Sequence, residues 1–91
     1  MSEEINPTEL IRSFVIRQFP AARKRAIDEK VPLLESGIVD SLGMLDLVSF
    51  LEASFAIQLS DEELTPENFS TIRALAALVD KKRKQVEAAA R

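Results

Sequence analysis

A serine beside an acidic residue is the strongest chemical feature of this sequence. Ser41 follows Asp40 and precedes Leu42, where a stretch containing Pro and Gly gives way to an amphipathic run. A hydroxyl at a helix N-terminus lies where backbone N–H groups and the helix dipole favour a bound or attached phosphate. The chain has no histidine and no cysteine, so this serine lacks an obvious base to activate it as a nucleophile. We therefore expect Ser41 to be modified by another protein rather than to catalyse a reaction.

The residue types that are missing narrow the possible chemistry further. Without cysteine the chain has no disulfide and no thiolate metal ligand, and without histidine it lacks the commonest neutral metal ligand. A Ser-His-Asp or Cys-His catalytic set is excluded for the same reason. The acidic run Asp61-Glu62-Glu63 lacks the spaced oxygen ligands and the glycine of a calcium loop, so we interpret it as a solvated link. The sequence predicts neither an enzyme nor a metal site.

The charge of −3 is unevenly distributed along the 91 residues. The segment 31–72 carries eight acidic residues and no Lys or Arg, whereas a basic cluster occupies 81–84. An acidic middle favours basic partner surfaces, and the basic cluster is too short and too poor in aromatics to predict nucleic-acid binding. No apolar run is long enough to span a bilayer, and the acidic start does not resemble a signal peptide. We expect a cytoplasmic protein.

The sequence predicts an all-helical fold around Ser41. Two glycines in 91 residues argue against an all-β fold, and the length suits one domain with a single core. Asn6, Asp40 and Ser70 are predicted N-caps, and Pro7 suits the first position of a helix. Between the first two helices, segment 31–39 is predicted to be a loop. The predicted helices span 7–19, 41–56, a short 65–69, and 71 to at least 82.

The helix after Asp40 has two different faces. Helical periodicity places five apolar residues on one side, which we expect to be core: Met44, Leu47, Val48, Leu51 and Phe55. Leu42 and Leu45 fall instead on the opposite, mostly polar face with Asp46 and Ser49. Apolar residues there are a candidate contact surface, although scattered surface leucines are also ordinary.

Two segments together resemble the acyl carrier protein family, which includes the peptidyl and aminoacyl carrier domains. The first is Glu35-Ser36-Gly37-Ile38-Val39-Asp40-Ser41-Leu42, and the second is Leu64-Thr65-Pro66-Glu67-Asn68-Phe69-Ser70-Thr71-Ile72. The helical pattern between and after them extends the resemblance over about residues 5 to 82. The resemblance implies an all-α four-helix bundle of the acyl carrier type, with three longer helices and one short one. It assigns 1–82 to the carrier domain and leaves 83–91 as a basic, Ala-rich extension of the last helix.

The resemblance also implies a specific function for Ser41. This residue would carry a 4′-phosphopantetheine arm, transferred from coenzyme A by a phosphopantetheinyl transferase, whose thiol holds an acyl or aminoacyl group as a thioester. Asp40 would cap the helix and help position the serine, and Leu42 would lie beside the arm. Leu42, Leu45, Asp46 and Ser49 would form the docking face for a loading ligase or transferase and for a downstream acceptor enzyme. A free-standing, monomeric carrier is expected.

One position departs from the pattern typical of bacterial fatty-acid carriers. Gly43 stands where those carriers have an acidic residue directly after Asp-Ser-Leu, and we interpret it as relieving crowding near the arm. Two segments, Ser36-Gly37-Ile38-Val39-Asp40-Ser41 and Pro66-Glu67-Asn68-Phe69-Ser70-Thr71-Ile72, resemble carriers loaded by adenylating enzymes. A housekeeping fatty-acid carrier remains the first alternative. A second alternative is a helical interaction module in which Leu42 and Leu45 dock a partner. In that reading Ser41 is an unmodified capping-turn residue or is phosphorylated.

Overall fold

The computed structural model describes residues 6–24 and 27–89, without the side chains of 87–89. Three α-helices form its frame: α1 (Pro7–Gln18), α2 (Ser41–Phe55) and α3 (Ile72–Ala89). Two short 3-10 helices, Pro20–Lys24 and Asp61–Glu63, lie in the connections. The described residues contain no strand, so the predicted all-α class is confirmed.

The helix boundaries follow from capping residues. The Asn6 side chain accepts a hydrogen bond from the Thr8 N–H at 3.0 Å, with Pro7 in the first helical position, as predicted. At the start of α3, Thr71 rather than the predicted Ser70 is the cap: its hydroxyl accepts a hydrogen bond from the Ala74 N–H at 3.0 Å. Ser70 instead donates its hydroxyl proton to the Glu67 carbonyl.

The predicted short helix at 65–69 is a single hydrogen-bonded turn. The Phe69 N–H donates to the Thr65 carbonyl at 3.2 Å, and the Asn68 N–H donates to the Thr65 hydroxyl. The chain then bends at Ser70 before α3 begins, so the turn does not propagate. Phe69 is nevertheless buried as predicted.

One hydrophobic core joins the three helices and their connections. α1 and α2 both pack against α3, and a stacked pair of Phe14 and Phe50 rings, with centroids 4.1 Å apart, joins α1 to α2. Loop residues Leu33 and Val39 belong to the same core as the helix residues. Among the described residues, no helix combines the length and the apolar composition that crossing a membrane requires.

Candidate functional site

The loop before α2 is fastened to the core and to the start of α3. The Leu33 N–H donates to the Ser70 carbonyl at 2.8 Å, and the Val39 N–H donates to the Leu33 carbonyl at 3.0 Å. Leu33, Ile38 and Val39 are all buried. Gly37 has φ of +82°, a left-handed conformation that glycine adopts without a steric penalty. These restraints fix where the chain enters α2.

Asp40 caps α2, as the sequence predicts. Its Oδ1 accepts a hydrogen bond from the Gly43 N–H at 2.7 Å, and its carbonyl accepts from the Met44 N–H at 2.9 Å. Ser41 is the first residue of the helix, and it is exposed to solvent. The structure thus presents the Ser41 hydroxyl on the surface, at the positive end of the dipole of a 15-residue helix.

Gly43 is required by a contact that the sequence did not reveal. This glycine is buried, and a Cβ added to it would lie 2.5 Å from Cε1 and 3.1 Å from Cζ of Phe19. The Phe19 ring, from the residue that ends α1, therefore packs directly on the backbone of the first turn of α2. The sequence interpretation attributes Gly43 to crowding near the arm, whereas the contact found in the structure is with the ring of Phe19.

The two faces of α2 are arranged as predicted. Leu47, Leu51 and Phe55 are buried, whereas Leu42 is 75% and Leu45 is 62% exposed. Met44 and Val48 pack against the core and are only partly buried. The structure therefore leaves two large apolar side chains in solvent within one turn of Ser41.

Two polar residues accompany those leucines. Asp46 and Ser49 are both exposed. The Asp46 carboxylate accepts a long hydrogen bond of 3.5 Å from Gln18 Nε2 on α1. The four residues of the predicted docking face, Leu42, Leu45, Asp46 and Ser49, are thus all on the surface of one helix.

The acidic link beyond α2 is only partly solvated, which corrects the sequence interpretation. Asp61 and Glu62 are exposed, but the Glu63 side chain is 18% exposed and makes an ion pair of 3.0 Å with Lys82. The Ser60 N–H also donates to Glu63 at 2.9 Å. The hydrogen bond from Ser60, followed by the Lys82 contributions, lowers the pKa of Glu63 below its ordinary value. The Ser-x-x-Glu spacing of a capping box was the available signal.

The residues around Ser41 suit an attached phosphodiester. The first turn of α2 contains no acidic side chain, and the carboxylate of Asp40, the residue directly before Ser41, is engaged by the Gly43 N–H. A phosphodiester at this position would be favoured by the helix dipole. In the described residues no cluster of three or more acidic, His or Cys side chains could hold a metal ion.

Comparisons with known proteins match most of the chain, including Ser41. The family model for a phosphopantetheine attachment site matches residues 9–79. The chain is 36% identical over 67 residues to "Probable acyl carrier protein PigG" of a Serratia species, covering 74% of this chain and 77% of that protein. It is 36% identical over 74 residues to the "Acyl carrier protein homolog" of Mycoplasmopsis pulmonis, covering 81% and 97%.

A solved structure has the same fold. One chain of a structure described as "Crystal structure of FAD-dependent dehydrogenase" superposes with a TM-score of 0.69 at 30% identity. The match covers 76% of this chain and 97% of that chain. Together with the family model and the capped serine at the start of α2, these relatives show that the chain belongs to the acyl carrier protein family, whose members are carriers with covalently attached 4′-phosphopantetheine.

Proposed function

We propose that this carrier receives its 4′-phosphopantetheine on Ser41 and delivers an acyl or aminoacyl thioester between enzymes. The observation that carries the proposal is the exposure of Ser41 at the first position of α2, directly after its capping Asp40. When bound, the arm supplies the thiol that the chain itself lacks. The protein contributes an accessible hydroxyl in a fixed position and no catalytic group of its own.

The test is the intact mass of the protein after incubation with coenzyme A, magnesium and a broad-specificity phosphopantetheinyl transferase. We expect a gain of one phosphopantetheinyl group on the natural sequence and none on Ser41→Ala. Because Asp40 provides the cap, Ser41→Ala is expected to keep its helical circular dichroism. Modification of Ser41→Ala would move the attachment site elsewhere, and no gain on well-folded natural protein would favour the interaction-module alternative.

We further propose that Leu42, Leu45, Asp46 and Ser49 form the docking face for the transferase, a loading ligase and an acceptor enzyme. The exposure of the two leucines supports this, because large apolar side chains near a modified residue gain most from burial against a partner. Asp46 supplies a negative charge that a basic partner group can approach. A cytoplasmic location and a monomeric state remain predictions.

The docking face is tested by replacing its apolar members. Leu42→Ser and Leu45→Ser are expected to slow phosphopantetheinyl transfer with less than about 0.5 kcal/mol change in the free energy of unfolding, since both side chains are exposed. Val86→Ser is a matched control, because Val86 is an exposed apolar residue of α3 and lies outside the face. Equal transfer rates for all three variants would contradict the assignment.

The structural comparison suggests one class of partner enzyme. Three-quarters of this 91-residue chain covers 97% of the matched chain, so that chain is itself of carrier size. The description of that structure names an FAD-dependent dehydrogenase, and this supports the proposal that a flavin enzyme oxidises cargo held on this carrier. Anaerobic reduction of such a flavin by the loaded carrier, and not by the same acid free in solution, is the expected result. Equal reduction by both would contradict a carrier-dependent step.

A further inference from the structure

The connection between α2 and α3, residues 57–70, closes one side of the hydrophobic core. It contributes Ile57, which is 4% exposed, and Phe69, which is 1% exposed. These side chains share one core with residues of α2 and α3 such as Leu47 and Ile72. An apolar chain that entered the bundle between α2 and α3 would have to displace this connection and the side chains that it buries.

The connection is fastened to α2 at its start. The Leu59 N–H donates a hydrogen bond of 2.9 Å to the Glu52 carboxylate of α2. The left-handed residue Ala56 ends the helix, and its N–H donates to the Glu52 carbonyl. Glu52 therefore holds the beginning of the connection through both its backbone and its side chain.

Glu63 fastens the middle of the connection to α3. Its carboxylate accepts from the Ser60 N–H at 2.9 Å and pairs with Lys82 at 3.0 Å, while its carbonyl accepts from Asn68 Nδ2 at 2.9 Å. The Glu63 and Lys82 side chains are only 18% and 17% exposed, so water screens this pair less than it screens a surface pair. By contrast, Arg73 Nε and Glu29 Oε1 form an ion pair of 3.4 Å in which both side chains are exposed.

The end of the connection is held by the loop that precedes Ser41. The Ser70 carbonyl accepts the Leu33 N–H at 2.8 Å, so the two segments share a backbone hydrogen bond. The connection is thus held at its start, middle and end by α2, α3 and this loop. Opening it requires breaking several hydrogen bonds and the Glu63–Lys82 pair together.

We propose that the Glu63–Lys82 pair is a clamp that keeps the bundle closed, so that the cargo of this carrier stays outside the core. The inference rests on the proposed carrier function and adds its substrate class. A long apolar acyl chain held outside would remain in water and forgo the gain of burial with every methylene. Short acyl groups and polar aminoacyl groups forgo little, and they are the cargo that a closed bundle suits.

The test loads the natural protein with acetyl-, butyryl-, octanoyl- and dodecanoyl-phosphopantetheine from the corresponding coenzyme A thioesters. Loading is followed by intact mass and stability by the thermal midpoint. For the natural sequence we expect midpoints that agree within about 1 °C across the series, because a chain in solvent adds no buried area. A chain that entered the core would raise the midpoint with chain length, by at most about 3 to 6 °C for each methylene buried, since displaced side chains offset part of the gain.

Variants that remove the Glu63–Lys82 ion pair test the clamp itself. Lys82→Met keeps the apolar stem and removes the ion pair, and we expect its midpoint to rise from the acetyl to the dodecanoyl form. Lys81→Met, which changes the exposed neighbouring lysine, is expected to behave as the natural protein does. If Lys82→Met does not fold, Glu63→Gln serves instead, because a glutamine oxygen can still accept from the Ser60 N–H.

The outcomes separate the two proposals. A midpoint that rises with chain length in the natural protein overturns the closed bundle while leaving the carrier function intact. A flat series in both the natural protein and Lys82→Met overturns the clamp. Failure of every coenzyme A thioester to load overturns the proposed function, and the cargo inference falls with it.

Discussion

The two ends of α2 differ in how the protein holds them. At its N-terminus, Ser41, Leu42 and Leu45 are exposed, and one carboxylate oxygen of Asp40 caps the helix. At its C-terminus, the connection that follows is tied by Glu52 and by the clamp of Glu63 and Lys82. The first end leaves these groups open to solvent, whereas the second closes one side of the core.

The difference shows how a small carrier combines access with order. Exposed side chains at the N-terminal end make few internal contacts, so the position of Ser41 depends on residues packed on the core side of the first turn of α2. Those features are the buried residues of the preceding loop and the Phe19 ring beneath Gly43. The position of Ser41 is therefore set from the core side of the turn, and the outer side of the turn is open to solvent.

The largest expected effect is at this inner side. Gly43→Ala would bring a Cβ within 2.5 Å of the Phe19 ring, and overpacking of this kind costs about 1 to 3 kcal/mol of stability. Chemical denaturation of the purified variant measures this loss. Phe19→Leu combined with Gly43→Ala is expected to recover part of it, because leucine lacks the ring atoms that clash. A more stable Gly43→Ala protein, as helix propensity alone predicts, would contradict the packing argument.

A smaller effect is expected from removing the cap. Asp40→Ala would leave the Gly43 N–H without its partner and cost about 1 kcal/mol of stability. It should also slow phosphopantetheinyl transfer to Ser41, because the first turn of α2 frays. Asp46→Ala is the control for stability, since Asp46 is exposed and makes only a long hydrogen bond. Equal loss of stability in the two variants would contradict a capping role for Asp40.

The smallest effect concerns pH at the opposite end. The lowered pKa of Glu63 means that its ionised form stabilises the fold. This contribution is fully present above the carboxyl's ordinary pKa of about 4.3, and it is lost as pH falls through the lower folded-state pKa. Glu63→Gln is therefore expected to reduce the difference in thermal midpoint between neutral and acidic pH. Glu62→Gln changes an exposed neighbour and is expected to leave that difference unchanged. An equal dependence of the thermal midpoint on pH in the two variants would contradict the assignment to Glu63.

The local signals in the sequence predicted the helices well. Asn6 and Asp40 were identifiable as caps because short polar side chains before an apolar periodic run satisfy the unpaired N–H groups of a first turn. The buried and exposed faces of α2 followed from the spacing of its leucines. The short turn at 65–69 was predicted as a helix because its capping residues are those of a helix, but the chain bends at Ser70 after a single turn.

Long-range contacts were outside the reach of these signals. Gly43 was noticed only as an unusual residue, since nothing local indicates that Phe19, 24 positions earlier in the sequence, would pack on it. Lys82 belongs to the basic cluster at 81–84, and nothing local in that cluster indicates that its ammonium lies 3.0 Å from the Glu63 carboxylate. The Ser60-x-x-Glu63 spacing was visible, but the partner on α3 was not.

The sequence by itself determined the helical class, the cap of α2 and the position of Ser41 at its first residue, because these depend on residues within one or two turns of each other. Only the tertiary structure decided why residue 43 is a glycine and how residues 57–70 are fastened. Both depend on side chains that meet across the core from distant parts of the chain. Periodicity fixes which face a residue occupies, and packing alone fixes which residue it meets there.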